Sequence, residues 1–293
     1  MIRFLLAFLF CSATVWCQGD TLPQRLRFAV IGDYGKAGEA EAAVATLVKG
    51  WNPDLIITVG DNNYPRGSDT TIDRNIGQYY HEFIHPYRGS YGPGGSINRF
   101  FPTLGNHDWY TPHAKPYLEY FTLPGNERYY EFAQGPVRFF ALDSDKNEPD
   151  GKSDTSIQAR WLRERLAAAA EPWKIVYFHH PPYLSVGHHR PDTAMQWPFA
   201  EWGASAVIAG HEHSYERLRV DGIPYFVNGL GGGNIYPEGV AVPQSQARYN
   251  ATHGAMLVEA SPEELRFWFI NRQGDTIDTE RLQAKKIGKD EGE

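Results

Sequence analysis

Cysteine is nearly missing from this 293-residue sequence: there are two, Cys11 and Cys17, both close to the N-terminus. The body of the chain therefore holds no disulfide, and no thiolate metal site of the zinc-finger kind can form there. Any metal centre must be built from His, Asp, Glu, Asn or Tyr. Long apolar runs are also scarce, the clearest being Phe4 to Phe10, well short of the roughly 20 residues a membrane span needs. No run of Lys or Arg occurs, and the formal net charge is -7, so neither a nucleic acid nor an anionic membrane surface is an expected partner. A serine-nucleophile hydrolase of the nucleophile-elbow type is excluded because no G-x-S-x-G string is present. The glycine-rich string from Gly229 to Asn234 lacks the strand-to-helix context of a phosphate-binding fingerprint and reads as a tight loop near a site.

What is present suits a folded domain. Hydrophobic residues make up 42% and charged residues 22%, enough for one large core or two small ones. Arg3, the apolar run behind it and the small residues that follow read as a signal peptide over residues 1–18, which predicts a secreted or periplasmic protein with no stable membrane insertion after processing. Residues 284–293 mix both charge signs and read as a solvated tail. Between them, Arg27 to Ile31 and Asp54 to Val59 are short apolar strands, and Glu39 to Lys49 carries Ala, Val and Leu at helical spacing. Strand, helix, strand predicts a βαβ unit, with Asp33 and Asp61 leaving the carboxyl ends of neighbouring parallel strands. Ile72, Ile76, Tyr80 and Phe83 mark a further amphipathic helix, residues 129–142 a hairpin, and residues 157–170 a helix with Trp161, Leu162 and Leu166 as its buried stripe. Beyond Ile223 the chain turns strand-rich, and no linker or repeat divides it.

Five predicted strand ends each deliver metal-type side chains: Asp33; Asp61 with Tyr64; Asn106 with His107; His179; and His211 with His213. Alone, an Asp after Gly is a turn former and a single His is a packing residue. Together they are hard to explain without a ligand, because packing gives successive strands no reason to end in polar donors. Gly32, Gly60, Gly105 and Gly210 stand before four of these turns, where the backbone must bend beside a crowded site.

The blocks Gly32-Asp33-x-Gly35, Gly60-Asp61-x-x-Tyr64, Gly105-Asn106-His107-Asp108, Val176-x-x-His179 and Gly210-His211-x-His213 resemble, in order, those of the purple acid phosphatases within the calcineurin-like metallophosphoesterases. The resemblance implies an α/β fold, a four-layer α/β/β/α sandwich occupying residues 25–283, of the small single-domain type. It implies a dinuclear centre in which Asp33, Tyr64 and His213 hold iron(III), Asn106, His179 and His211 hold a divalent Zn, Fe or Mn, and Asp61 bridges. Phenolate and carboxylate are hard donors suited to a trivalent ion, and the tyrosine marks the purple subgroup through its charge-transfer colour. His107, His188 and His189 fall where the family keeps substrate-contacting histidines. Asp108 and Glu216 are candidates for orienting histidines, and His180 points away from the centre if its strand continues. The implied activity is hydrolysis of small phosphate monoesters by a metal-bound hydroxide at acid pH. A divalent-only phosphodiesterase or nucleotidase, and a non-catalytic secreted metal-binding protein, are the alternatives. Oligomeric state and physiological substrate are not legible, and Asn250-Ala-Thr252 is a glycosylation sequon.

Overall fold

A computed structural model describes residues 25–284. The signal-peptide reading and nearly all of the charged-tail reading fall outside those residues.

Two sheets form the body. The first has the order β13-β12-β11-β1-β2-β3, with β1 (Leu26–Ile31), β2 (Leu55–Thr58) and β3 (Phe100–Pro102) parallel, and β11 (Gly254–Ala260), β12 (Glu264–Asn271) and β13 (Thr276–Gln283) added antiparallel. The second runs β10-β8-β9-β7-β6-β5-β4, where β5 (Val137–Ala141), β6 (Trp173–Tyr177), β7 (Ala206–Ala209) and β9 (Ile223–Asn228) are parallel. The antiparallel members are β4 (Tyr130–Gln134), β8 (Tyr215–Val220) and β10 (Ser245–Tyr249). Parallel pairing along the β1-β2-β3 half of the first sheet and at the centre of the second sends the carboxyl ends of β1, β2, β3, β6 and β7 to one rim, and the helical crossovers it requires cover the outer faces.

Side-chain alternation divides the core in two. In β6, Trp173, Ile175 and Tyr177 face the first sheet, whereas Val176, and Phe178 just past the strand, face outward beneath Leu162 and Leu166 of α5 (Ile157–Ala168). Phe28 meets Phe139 edge-on at 5.0 Å and Phe226 meets Phe267 at 4.8 Å, so aromatic rings fill the space between the sheets. Val44 and Val48 of α1 (Glu39–Gly50), four residues apart, are fully buried with the first sheet. The result is the expected α/β/β/α sandwich. Ser156 starts α5 by accepting the Ala159 N–H at 3.1 Å.

One expectation is corrected. The helix marked by Ile72, Ile76, Tyr80 and Phe83 keeps those four residues buried but is not regular. It runs as α2 (Asp69–Ile72), a π-helical turn (Asp73–Gly77), α3 (Gln78–Tyr80) and a 3-10 turn (His81–Phe83), before the short α4 (Lys115–Tyr120) further along. The cause is polar. Asp73 accepts from Tyr87 and Tyr120 hydroxyls and from Ser90, and Asn75 turns inward to hold the Tyr64 carbonyl at 2.8 Å. Strands β8 and β13 were invisible to an apolar reading because they are joined by ions: Arg217 pairs with Asp278 and Glu280, and Arg219 with Glu280, across the two sheets.

Burial would raise the Asp73 carboxyl, but the Tyr87, Ser90 and Tyr120 donors outweigh it and hold it below its ordinary value. A depressed carboxylate contributes stability above its unfolded pKa and loses it as pH falls through the native value. Asp73→Asn is therefore expected to lower the melting temperature near neutrality and to lose that effect below about pH 4, which paired thermal melts would show.

Candidate metal centre

Each strand end reaches the rim through a tight turn. Asp33, Asp61 and His211 all take positive φ, 54°, 51° and 70°, so the chain reverses at the donor itself. Gly60, at φ 89°, leaves no room for a side chain: a Cβ there would lie 2.6 Å from His179 Nδ1. At Gly105 a Cβ would lie 2.3 Å from the Asp61 backbone N. These two glycines let the third and fourth loops close onto the second, around Asp61.

The donors form two sets that share one carboxylate. On one side the Tyr64 hydroxyl oxygen lies 3.1 Å from Asp61 Oδ2, 3.0 Å from His213 Nε2 and 3.4 Å from Asp33 Oδ1. His213 Nε2 is itself 3.3 Å from Asp33 Oδ1. On the other side His179 Nε2 lies 3.4 Å from Asp61 Oδ1, 3.1 Å from Asn106 Oδ1 and 3.1 Å from His211 Nδ1. Donors that surround one first-row ion at about 2.1 Å stand about 3 Å apart, so both sets have the spacing of a coordination shell.

The chemistry of the donors also fits. Carboxylate, phenol and imidazole gather on the Asp33 side; amide oxygen and two imidazoles gather on the His179 side. Without cations the group is electrostatically awkward. Burial pushes the Tyr64 phenol well up, and the Asp61 and Asp33 charges push it further. Burial would also raise Asp61, but the neighbouring His179 charge overrides it and the carboxyl is held low. For His179, burial opposes the charge while Asp61 favours it, and the ring is pushed up to about 10. The reverse holds for His211, where burial and the neighbouring His179 charge drive the imidazole well down.

Imidazole orientation is fixed from behind. His179 Nδ1 meets the Val59 carbonyl at 2.8 Å, and His213 Nδ1 meets the Asn234 carbonyl. That second contact gives the glycine-rich string its task, since Gly233 lies against the His213 ring. The nitrogen opposite each of these contacts is left for a metal.

Residues 26–215 match the family described as calcineurin-like phosphoesterase. The chain belongs to that family. Purple acid phosphatase 23 of Arabidopsis thaliana is 29% identical over 232 residues, 68% of this chain and 48% of that relative. This phosphoesterase thus spans about half the length of the plant protein. Tartrate-resistant acid phosphatase type 5 of Homo sapiens is 24% identical over 313 residues, 91% of this chain and 93% of the relative. Among solved structures, GAP50, the anchor in the inner membrane complex of Plasmodium, aligns with a TM-score of 0.71 at 19% identity, covering 90% of each chain. That likeness shows the fold alone.

All seven sequence-nominated donors, Asp33, Asp61, Tyr64, Asn106, His179, His211 and His213, stand in the two sets. The three outer histidines stand beside them. His107 donates its backbone N–H to Asp61 Oδ1 at 2.9 Å, its Nδ1 faces the Pro65 carbonyl at 2.7 Å, and its ring lies 4.4 Å from that of Tyr64. His189 stacks on His211 at 3.8 Å, and His188 stacks on Tyr236, which in turn lies parallel to His213 at 4.2 Å.

Three outer expectations are corrected. Asp108 is bonded to no histidine: its Oδ2 accepts from the Gly105 N–H and the Asn62 amide at 2.9 Å each, holding the third loop. Glu216 accepts from the Ser185 N–H and hydroxyl and holds the loop before His188. His180 does not turn away, because β6 ends at Tyr177 and its alternation ends there; the ring lies 4.5 Å from that of His211.

Sequence reading missed Glu212, Tyr236 and Asn62. The buried Glu212 carboxylate takes the His188 and His189 backbone N–H groups at 2.9 and 2.8 Å and sits 3.0 Å from His189 Nδ1. Its position between His211 and His213 of the last block was the available signal. Tyr236 and Asn62 carry none, since both act through packing and buried hydrogen bonds. Glu212→Gln is expected to cut kcat/KM about 10-fold or more while metal content stays unchanged, because it orients His188 and His189 without touching a metal position. Steady-state kinetics with elemental analysis would check it.

Proposed function

We propose that this chain is an exported acid phosphatase, with residues 25–283 as one metallophosphoesterase domain, which hydrolyses small phosphate monoesters at iron(III) paired with a divalent Zn, Fe or Mn ion. One observation carries the reading: the two oxygens of Asp61 face two separate, complete donor sets, 3.1 Å from Tyr64 on one side and 3.4 Å from His179 on the other. A protein that merely sequesters one ion has no use for a shared carboxylate, nor for three further histidines at the mouth.

Asp33, Tyr64 and His213 would hold the iron; Asn106, His179 and His211 would hold the divalent ion; Asp61 would serve both. When bound, such a pair neutralises phosphoryl oxygens and makes water acidic enough to supply a nucleophile below neutral pH. The protein supplies the rest. His107 is kept in place by the Pro65 carbonyl, so its Nε2 is the nitrogen left to hold a phosphoryl oxygen. Glu212 secures Nδ1 of His189, which leaves Nε2 to hold the proton that the departing alkoxide needs. His188 stands next to it on Tyr236 as a second donor to the phosphate. Export is supported by the N-terminal sequence pattern, and no helix among the described residues is long and apolar enough to cross a membrane.

Hydrolysis of an aryl phosphate followed across pH tests the reading. The expected profile peaks below neutrality, collapses when metal is chelated, and returns when iron and zinc are restored together. An alkaline maximum, or turnover of diesters alone, would contradict it.

A further inference from the structure

His180 is left unused by this scheme, although it sits among the donors. One ring nitrogen from each of His179, His180 and His211 lies within 4.8 Å of the other two. Ser144 holds His180 twice: its Oγ accepts the His180 backbone N–H at 2.9 Å and stands 2.9 Å from Nδ1. That leaves Nε2 without a protein partner among the described residues. The same arrangement, one nitrogen fixed from behind and the other presented, holds His179 on the Val59 carbonyl and His213 on the Asn234 carbonyl. Ser144 follows β5 by three residues, so a strand otherwise outside the centre is recruited to aim this ring.

Resting on the two-metal reading above, we infer that His180 is a further ligand of the divalent ion, and that three imidazoles beside the Asn106 amide oxygen make that position select zinc over manganese. Imidazole nitrogen suits zinc, whereas manganese is best served by oxygen donors. Each added nitrogen therefore widens the gap between the two ions, and removing His180 narrows it.

The full chain, loaded with iron and zinc, is equilibrated against increasing chelator, and bound metal is read by elemental analysis. His180→Ala is expected to release zinc at about 10- to 100-fold lower chelator while retaining iron. Its retention of manganese, loaded in place of zinc, stays close to that of the parent. Ser144→Ala, which frees the ring without removing it, shifts zinc release in the same direction by less, and it decides the matter if His180→Ala fails to fold. Zinc retention unchanged in a folded His180→Ala, or in Ser144→Ala where only that variant folds, overturns the inference. So does a loss of turnover with zinc retention intact, which would make His180 a substrate contact. Zinc release is read without turnover, so an inactive parent protein would count against the phosphatase reading and leave this test standing.

Discussion

Asp61→Asn is expected to lower kcat/KM for an aryl phosphate about a thousandfold or more, which is about 4 kcal/mol of transition-state stabilisation. Metal per chain should fall with it. The carboxylate is 1% exposed, and its two oxygens face different donor sets while Oδ1 also takes the His107 N–H. An amide keeps the shape but offers one oxygen where the proposed centre needs two, and it removes the negative charge that would balance two cations. A variant that retains two ions and near-parental turnover would show that Asp61 is not shared. Because Asn is close to isosteric, a melting curve recorded alongside separates loss of the site from loss of the fold.

Gly60→Ala comes next in size. At φ 89° an L-residue is strained by about 1–2 kcal/mol, and the added methyl would sit 2.6 Å from His179 Nδ1 and 2.8 Å from its Cβ, an overpacking cost of about 1–3 kcal/mol more. His179 cannot yield easily, since it is fully buried and its Nδ1 is tied to the Val59 carbonyl. The variant should therefore lose about 2–5 kcal/mol in a denaturant titration and bind the divalent ion poorly even where it folds. A shift below about 0.5 kcal/mol would mean that the second and fourth loops have slack that the tight turn denies.

These two positions also show why the centre could be read before the fold was known. Gly60 and Asp61 are neighbours in sequence, and a glycine followed by a donor at a strand end leaves a local mark that survives without coordinates. The same is true of Asn106 with His107 and of His211 with His213. The layered fold was legible through strands whose burial is continuous, such as β2 and β7, where apolar runs stand out. Strands β8 and β13 were not, because Arg217, Arg219, Asp278 and Glu280 hold them by ion pairs that an apolar pattern cannot signal. The helix at residues 69–83 gave its apolar stripe correctly, but its π-helical turn depends on Asp73 and Asn75 reaching residues distant in sequence. His180 failed for a simpler reason: alternation was carried three residues beyond the point where β6 ends. Glu212, between His211 and His213, was readable in principle; Tyr236, stacked between His188 and His213, is a product of folding alone.

Elemental analysis and the visible spectrum of freshly purified chain, read together with Tyr64→Phe, test the central claim most directly. The shared-carboxylate geometry predicts two ions per chain, one of them iron, and a violet band that disappears in Tyr64→Phe while the second ion stays bound. One ion per chain, or a violet band indifferent to Tyr64, would contradict it.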